Sequence, residues 1–169
     1  MPRDQFEVGI VIAHRRLAGP WGGDEWRPVA VLPAVPDAPS GAPLAGDGAQ
    51  QVYYAGASSI VLHAAETPHY RDNLASGRPS LWVALEIAAD DGCRVAAVTA
   101  DPYEGEALAG TMDLMVESVP MPSEIAERVA RFVAAFHVER PFVKRERDPL
   151  ASRLPGPRGS AVAHAAEEK

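Results

Sequence analysis

The chain has 169 residues, of which 47% are hydrophobic, and it carries a formal net charge of −7. This length and composition suit one globular core with extensions. The negative charge disfavours binding to nucleic acid or to an anionic membrane, and no apolar run approaches the roughly 20 residues that a membrane-spanning helix needs. One cysteine, Cys93, excludes an internal disulfide and a cysteine zinc site, so we expect a cytoplasmic protein.

The first part of the chain has the alternating apolar pattern of β-strands. Residues 6–14 predict a first strand, and residues 25–33 predict a second in which Pro28 lies at a strand end or edge. Residues 33–49 are rich in Pro, Ala and Gly and predict a flexible exposed loop. The next apolar runs, between residues 50 and 66, predict a hairpin that turns near 56–59.

The middle of the chain predicts one short helix and three more strands. Thr67 and Pro68 favour a helix start, and Gly77 favours its end. Residues 80–100 predict a hairpin that turns at an Asp-Gly sequence. The sequence DLMVESVPM predicts the last strand.

A C-terminal amphipathic helix is predicted from Ser123, as a possible N-cap, to about Val138. The apolar stripe of this helix is Ile125, Val129, Phe132, Val133 and Phe136. We expect this stripe, including both phenylalanines, to pack against the sheet. The folded domain is expected to span residues 1–148, and residues 149–169 have the composition of a disordered tail.

The order of these elements predicts an α+β fold. Strands that are neighbours in sequence pair antiparallel, because parallel pairs need crossover connections. We therefore expect a curved antiparallel sheet or small open barrel of about seven strands with one C-terminal amphipathic helix.

No pattern in the sequence predicts a catalytic residue, a metal site or a bound cofactor. The sequence lacks the glycine motifs of nucleotide-binding loops and the G-x-S-x-G motif of hydrolases. No two histidines have the i,i+4 spacing of a helical zinc site. Carboxylates beside Cys93 should raise its pKa and keep the thiol unreactive.

The sequence DPYEGEA brings three carboxylates, Asp101, Glu104 and Glu106, close to Tyr103. Two such acids can share general acid–base work if their environments separate their pKa values. Acids in this order are also typical of a helix start, with Asp101 as the cap and the glutamates facing water. The second interpretation is favoured.

Surface residues give the strongest indication of function. Trp21 lies in a glycine-rich loop, where it either covers the barrel or contacts a partner. A basic run in this acidic protein, preceded by an apolar residue, can contact an acidic partner. Arg71 lies on the exposed face of the residue 66–77 segment. The predicted partner-binding residues are Trp21, Arg71, Phe142, Lys144, Arg145 and Arg147.

The chain resembles an uncharacterised bacterial domain family whose genes commonly lie in proteobacterial formate dehydrogenase clusters. The resemblance rests on collinear stretches between residues 8 and 148, among them VGIVIAHRRLAGPW, HYRDNLASGRPSLWVALE and FHVERPFVKRERD. It implies a non-catalytic accessory or assembly protein that binds a formate dehydrogenase subunit or a maturation factor. The alternatives are an enzyme or carrier in molybdenum cofactor biosynthesis and a small-ligand-binding barrel.

Overall fold

The structure is a computed structural model, and it describes residues 1–90, 92–139 and 141. No helix in this described part has the length and apolar character needed to cross a bilayer. The fold below is that of the compact unit Met1–Val138. Several positions singled out in the sequence lie outside the described residues, so their roles and the domain end at 148 stay predictions: Phe142, Lys144, Arg145, Arg147 and 149–169.

Strands form most of this unit, and helices follow or separate them. The elements in chain order are β1 (Arg3–Arg16), β2 (Asp24–Leu32), β3 (Ala42–Gly46), β4 (Gln50–His63), a 3-10 turn (Ala64–Glu66), α1 (Thr67–Ala75), β5 (Ser80–Ile87), β6 (Cys93–Thr99), α2 (Pro102–Ala109), β7 (Leu114–Pro120) and α3 (Ser123–Phe136).

The strands form two antiparallel sheets, one in the order β2-β1-β4-β3 and the other in the order β6-β5-β7. The α+β class and the antiparallel pairing are therefore confirmed. The prediction of one curved sheet or barrel is wrong, because β1–β4 and β5–β7 pair only among themselves and no closed barrel forms in the described part. Three α-helices are present rather than a single C-terminal one: α3, the short helix α1 near its predicted start at Thr67, and α2, whose start the Asp101 side chain caps.

The predicted hairpin within residues 50–66 is wrong, because β4 runs without a turn from Gln50 to His63. Gly56 has a φ of +117° and lies where the pairing of β4 with β1 shifts register. A glycine with positive φ is typical of a β-bulge as well as of a turn, so the local sequence does not separate the two.

The proline-rich range 33–49 contains β3, which pairs with β4. The Gly41 N–H donates to the Tyr54 carbonyl at 2.7 Å, and the Ser40 hydroxyl donates to the Ala55 carbonyl at 2.7 Å. These bonds anchor the range along the edge of the sheet. Its flexibility in solution stays a prediction.

The helix α3 packs on the core through Ile125, Val129 and Phe132, which are all buried. Phe136 is 40% exposed, so the prediction that it is buried is wrong. It lies in the last turn of α3, where its ring contacts only the edge of this packing through Phe132, at 4.9 Å between centroids.

Two further details at α3 differ from expectation. The N-cap is Pro122, and Ser123 is already helical, with no side-chain capping bond. Arg128 donates two hydrogen bonds, of 2.7 and 2.8 Å, to the carboxylate of Asp4 in β1. This bidentate pair connects the helix to the sheet and lowers the pKa of Asp4.

Candidate functional site

Trp21 lies in the loop between β1 and β2, and backbone hydrogen bonds within this loop hold its two ends together. The Leu17 N–H donates to the Gly23 carbonyl at 2.8 Å, and the Gly22 N–H donates to the Gly19 carbonyl at 3.0 Å. A side chain at Gly22 would lie 2.2 Å from the Leu17 carbonyl oxygen, so this turn requires glycine there. Gly19, Gly22 and these hydrogen bonds fix the shape of the loop.

Trp21 is 96% exposed at the tip of this loop. The alternative in which it covers the core is therefore excluded. Trp26 lies in β2, within the predicted second strand, and stacks on His14, with ring centroids 4.3 Å apart. His14 is in turn 2.7 Å from Asp24, so the base of the hairpin is well packed while its tip is free of the core.

Arg71, the second predicted contact residue in the described part, lies on α1 and is engaged within the protein. Its guanidinium donates to His137 Nε2 at 3.0 Å and lies 3.5 Å from the Asp72 carboxylate. His137 also lies 3.2 Å from the Thr67 hydroxyl. Arg71 therefore connects α1 to the end of α3 while it remains partly exposed. Within the described residues, Arg71 and Trp21 make no contact with each other.

A second group of polar side chains converges where α1 meets the start of α2. His69 Nδ1 is 2.8 Å from Asp101 Oδ2 and 3.0 Å from Glu66 Oε2. An ionised carboxylate only accepts hydrogen bonds, so Nδ1 carries a proton in this arrangement. The imidazole is thereby held in one orientation, and no residue in the described part donates to or accepts from Nε2.

Asp101 has two roles in this group. Its Oδ1 accepts hydrogen bonds from the backbone N–H groups of Tyr103 and Glu104, which caps α2 as the sequence predicts. Its Oδ2 faces His69, and the side chain is only 7% exposed. Glu104 does not simply face water, because the Thr99 hydroxyl donates to it at 2.5 Å.

An open groove of about 470 Å³ lies beside this group, between α1, β5 and α2. Its walls include the aromatic rings of Trp82 and Tyr103 and the exposed Arg78 side chain. The Tyr103 ring also contacts His69, with centroids 4.4 Å apart. The groove and the His69 group therefore share one aromatic residue.

Cys93 lies half-buried at the start of β6, and burial raises its pKa to about 11. The direction agrees with the sequence-based expectation, but the cause is burial rather than neighbouring carboxylates. Because a thiolate is the reactive form, a pKa raised from 9.0 to about 11 lowers the thiolate fraction at pH 8 by about 100-fold.

We expect iodoacetamide to modify Cys93 about 100-fold more slowly than it modifies a free cysteine, as measured by mass spectrometry. A rate equal to that of the free thiol would contradict this assignment, and denatured protein provides the control.

Sequence reasoning missed the convergence of Glu66, His69 and Asp101. The i,i+3 spacing of Glu66 and His69 indicates side chains on one face of a helix. Asp101 is 32 residues further along the chain than His69, and only the packing of α2 beside α1 brings it near. No pattern in the sequence reports that packing.

Comparison with known proteins places this fold in a family. No curated protein matches the chain, and no solved structure matches it. The model of one family, described as a protein of unknown function (DUF3305), matches residues 7–146. This match includes all of α1, α2 and α3 and all strands except the first residues of β1. The chain belongs to the DUF3305 family of proteins of unknown function.

Proposed function

We propose that the protein is a non-catalytic accessory protein that binds another protein through the Trp21 loop. The observation that carries the proposal is the 96% exposure of Trp21 on a loop whose backbone is closed by hydrogen bonds. Tryptophan is a frequent anchor at protein interfaces, since its large ring buries much apolar area while its N–H finds a partner.

The conformation of the loop supports this use. Ordering a flexible loop on binding costs free energy that is subtracted from the affinity. Here Gly19 and Gly22 already hold the turn, and ion pairs join the strands at its base, such as Arg15 with Glu25 at 3.0 Å. Leu17, at the start of the loop, is 42% exposed and offers further apolar surface. The loop thus presents its aromatic residue without prior rearrangement.

The partner proposed is a formate dehydrogenase subunit or a maturation factor in the cytoplasm. The support is the resemblance to a family whose genes lie in formate dehydrogenase clusters. The basic run Lys144, Arg145 and Arg147, with Phe142 beside it, would speed encounter with an acidic surface on that partner. Arg71 would contribute at most through its exposed edge, since its guanidinium is bonded to His137.

The second candidate is the binding of a small ligand, such as a cofactor precursor, in the groove beside α2. It is favoured by the volume of about 470 Å³, which falls in the range of ligand pockets, and by the Trp82 and Tyr103 rings that line it. A ligand with a flat ring and an acidic group would match these rings and Arg78. This candidate includes the carrier role in molybdenum cofactor biosynthesis.

Affinity purification separates the two candidates. The tagged chain is recovered from cells that express the formate dehydrogenase gene cluster, and both proteins and small molecules are identified by mass spectrometry. We expect recovery of a cluster-encoded protein, and Trp21→Ala should reduce that recovery by at least about 10-fold because interface tryptophans are frequent hot spots. Val35→Ala is the matched control, since Val35 is also an exposed apolar residue, at 42%, in a different loop.

Recovery of no cluster protein, together with a bound pterin or nucleotide, would replace the first candidate by the second. Equal recovery by Trp21→Ala and wild type would remove the loop from the interface. Circular dichroism of both variants provides the check on folding.

A further inference from the structure

We propose that Glu66, His69 and Asp101 form a binding site for a divalent transition-metal ion, with Zn²⁺ the ion that the donor set fits best. The site is separate from the Trp21 loop, and the inference does not rest on the proposed partner.

The three side chains offer donor atoms that lie within 4.8 Å of one another. Glu66 and His69 are three residues apart at the start of α1, which places them on one face. Asp101 is the N-cap residue of α2. One imidazole nitrogen and two carboxylate oxygens are ligands that Zn²⁺ accepts, and three protein ligands leave a fourth position open.

The charges around the site favour a cation. Three carboxylates gather here, from Glu66, Asp101 and Glu104, and no arginine in the described part is paired with any of them. The basic side chain in contact with Glu66 and Asp101 is His69. The carboxyl of Asp101 is only 7% exposed, so its charge is poorly compensated by solvent.

The distances suit an ion with a small adjustment. Tetrahedral zinc with bonds of about 2.0–2.1 Å separates its ligand atoms by roughly 3.3 Å. The Nδ1 atom of His69 is 2.8 Å from Asp101 and 3.0 Å from Glu66, so the two oxygens have to move away from it by about 0.5 and about 0.3 Å. Glu66 is 40% exposed and has room to rotate.

Groups behind the ligands hold two of them in place. Backbone N–H groups at the start of α2 bind the other oxygen of Asp101, and the Tyr103 ring contacts the imidazole of His69. Such outer contacts orient ligands and raise metal affinity. Coordination at Nδ1 requires the Nδ1 proton to move to Nε2, which has no partner in the described part of the chain, so protons and the metal compete for the imidazole.

The test is isothermal titration calorimetry of the full chain. Bound metal is first removed with EDTA, the EDTA is removed in turn, and Zn²⁺ is then titrated into the protein. Wild type should bind one equivalent through this site. His69→Gln should weaken binding by at least about 10-fold. His14→Gln is the matched control, because His14 has one carboxylate partner, Asp24, and no third ligand among the residues that the structure describes. This variant should bind zinc as wild type does.

Asp101→Asn separates loss of a ligand from loss of the fold. Asparagine is as good an N-cap as aspartate, so α2 should remain while zinc affinity falls. Zinc should raise the melting temperature of wild type but not that of His69→Gln. The site is overturned if wild type takes up no zinc, if His69→Gln binds as tightly as wild type, or if His14→Gln abolishes binding instead.

Discussion

Replacement of Phe132 by alanine is expected to lower the free energy of unfolding by about 3–5 kcal/mol, as for other buried phenylalanines. Phe132 is 5% exposed and lies in the core cluster with Val129. Its ring meets that of Tyr70 edge to face, with centroids 6.4 Å apart, and so holds α3 against α1. Truncation of Phe132 would leave a cavity beside Tyr70, which is itself buried. Urea unfolding followed by circular dichroism measures the change.

Phe136→Ala is the matched control on the same helix. Phe136 is 40% exposed, so less apolar area leaves water when it folds. Its replacement should cost clearly less than that of Phe132, by about 2 kcal/mol. Equal effects for the two variants would mean that α3 packs with a different face toward the sheets.

Gly105→Ala is expected to lower the free energy of unfolding by about 1–3 kcal/mol, the usual range for overpacking. Gly105 is buried in α2, and an added Cβ would lie 2.2 Å from Cγ of Trp82. That atom belongs to the base of the indole, which cannot move aside without rotation of the whole ring. Either α2 moves away from β5 or Trp82 leaves its place in the groove.

Two further variants test this reasoning. Gly110→Ala is the matched control at the end of α2, where an added Cβ meets nothing within 3.5 Å and the φ of −79° suits alanine; it should change stability by less than about 0.5 kcal/mol. Trp82→Leu should relieve the clash, so that the double variant is less destabilised than the sum of the single ones. A neutral Gly105→Ala would show that α2 does not rest on Trp82.

The sequence predicts most elements of this fold because their signals are local. The apolar stripe of α3 is continuous over four turns, and the residue that caps α2, Asp101, directly precedes that helix in the sequence. Pro28 lies at an edge strand, next to a register shift, as a residue without an N–H should.

Features that depend on distant packing are not visible in the pattern. Gly56 permits either a turn or a bulge. The bulge forms because β1 continues past this position and pairs with β4 on both sides of it. The strand β3 has a loop-like composition, and its pairing with β4 defines it. Likewise, the sequence shows a tryptophan between glycines, but whether Trp21 faces the core or water depends on how β1 and β2 close the loop.

The claim that Trp21 anchors a protein partner is tested most directly by the dissociation constant of the complex with the protein recovered in the purification. Titration calorimetry would compare wild type, Trp21→Phe and Trp21→Ala, all checked for folding. Removal of a buried interface tryptophan costs at least about 2 kcal/mol, so Trp21→Ala should raise the dissociation constant by about 30-fold or more. Trp21→Phe, which keeps an aromatic ring, should give an intermediate value. Dissociation constants equal within about threefold for all three would contradict the account, since a difference under 1 kcal/mol is not that of an anchor.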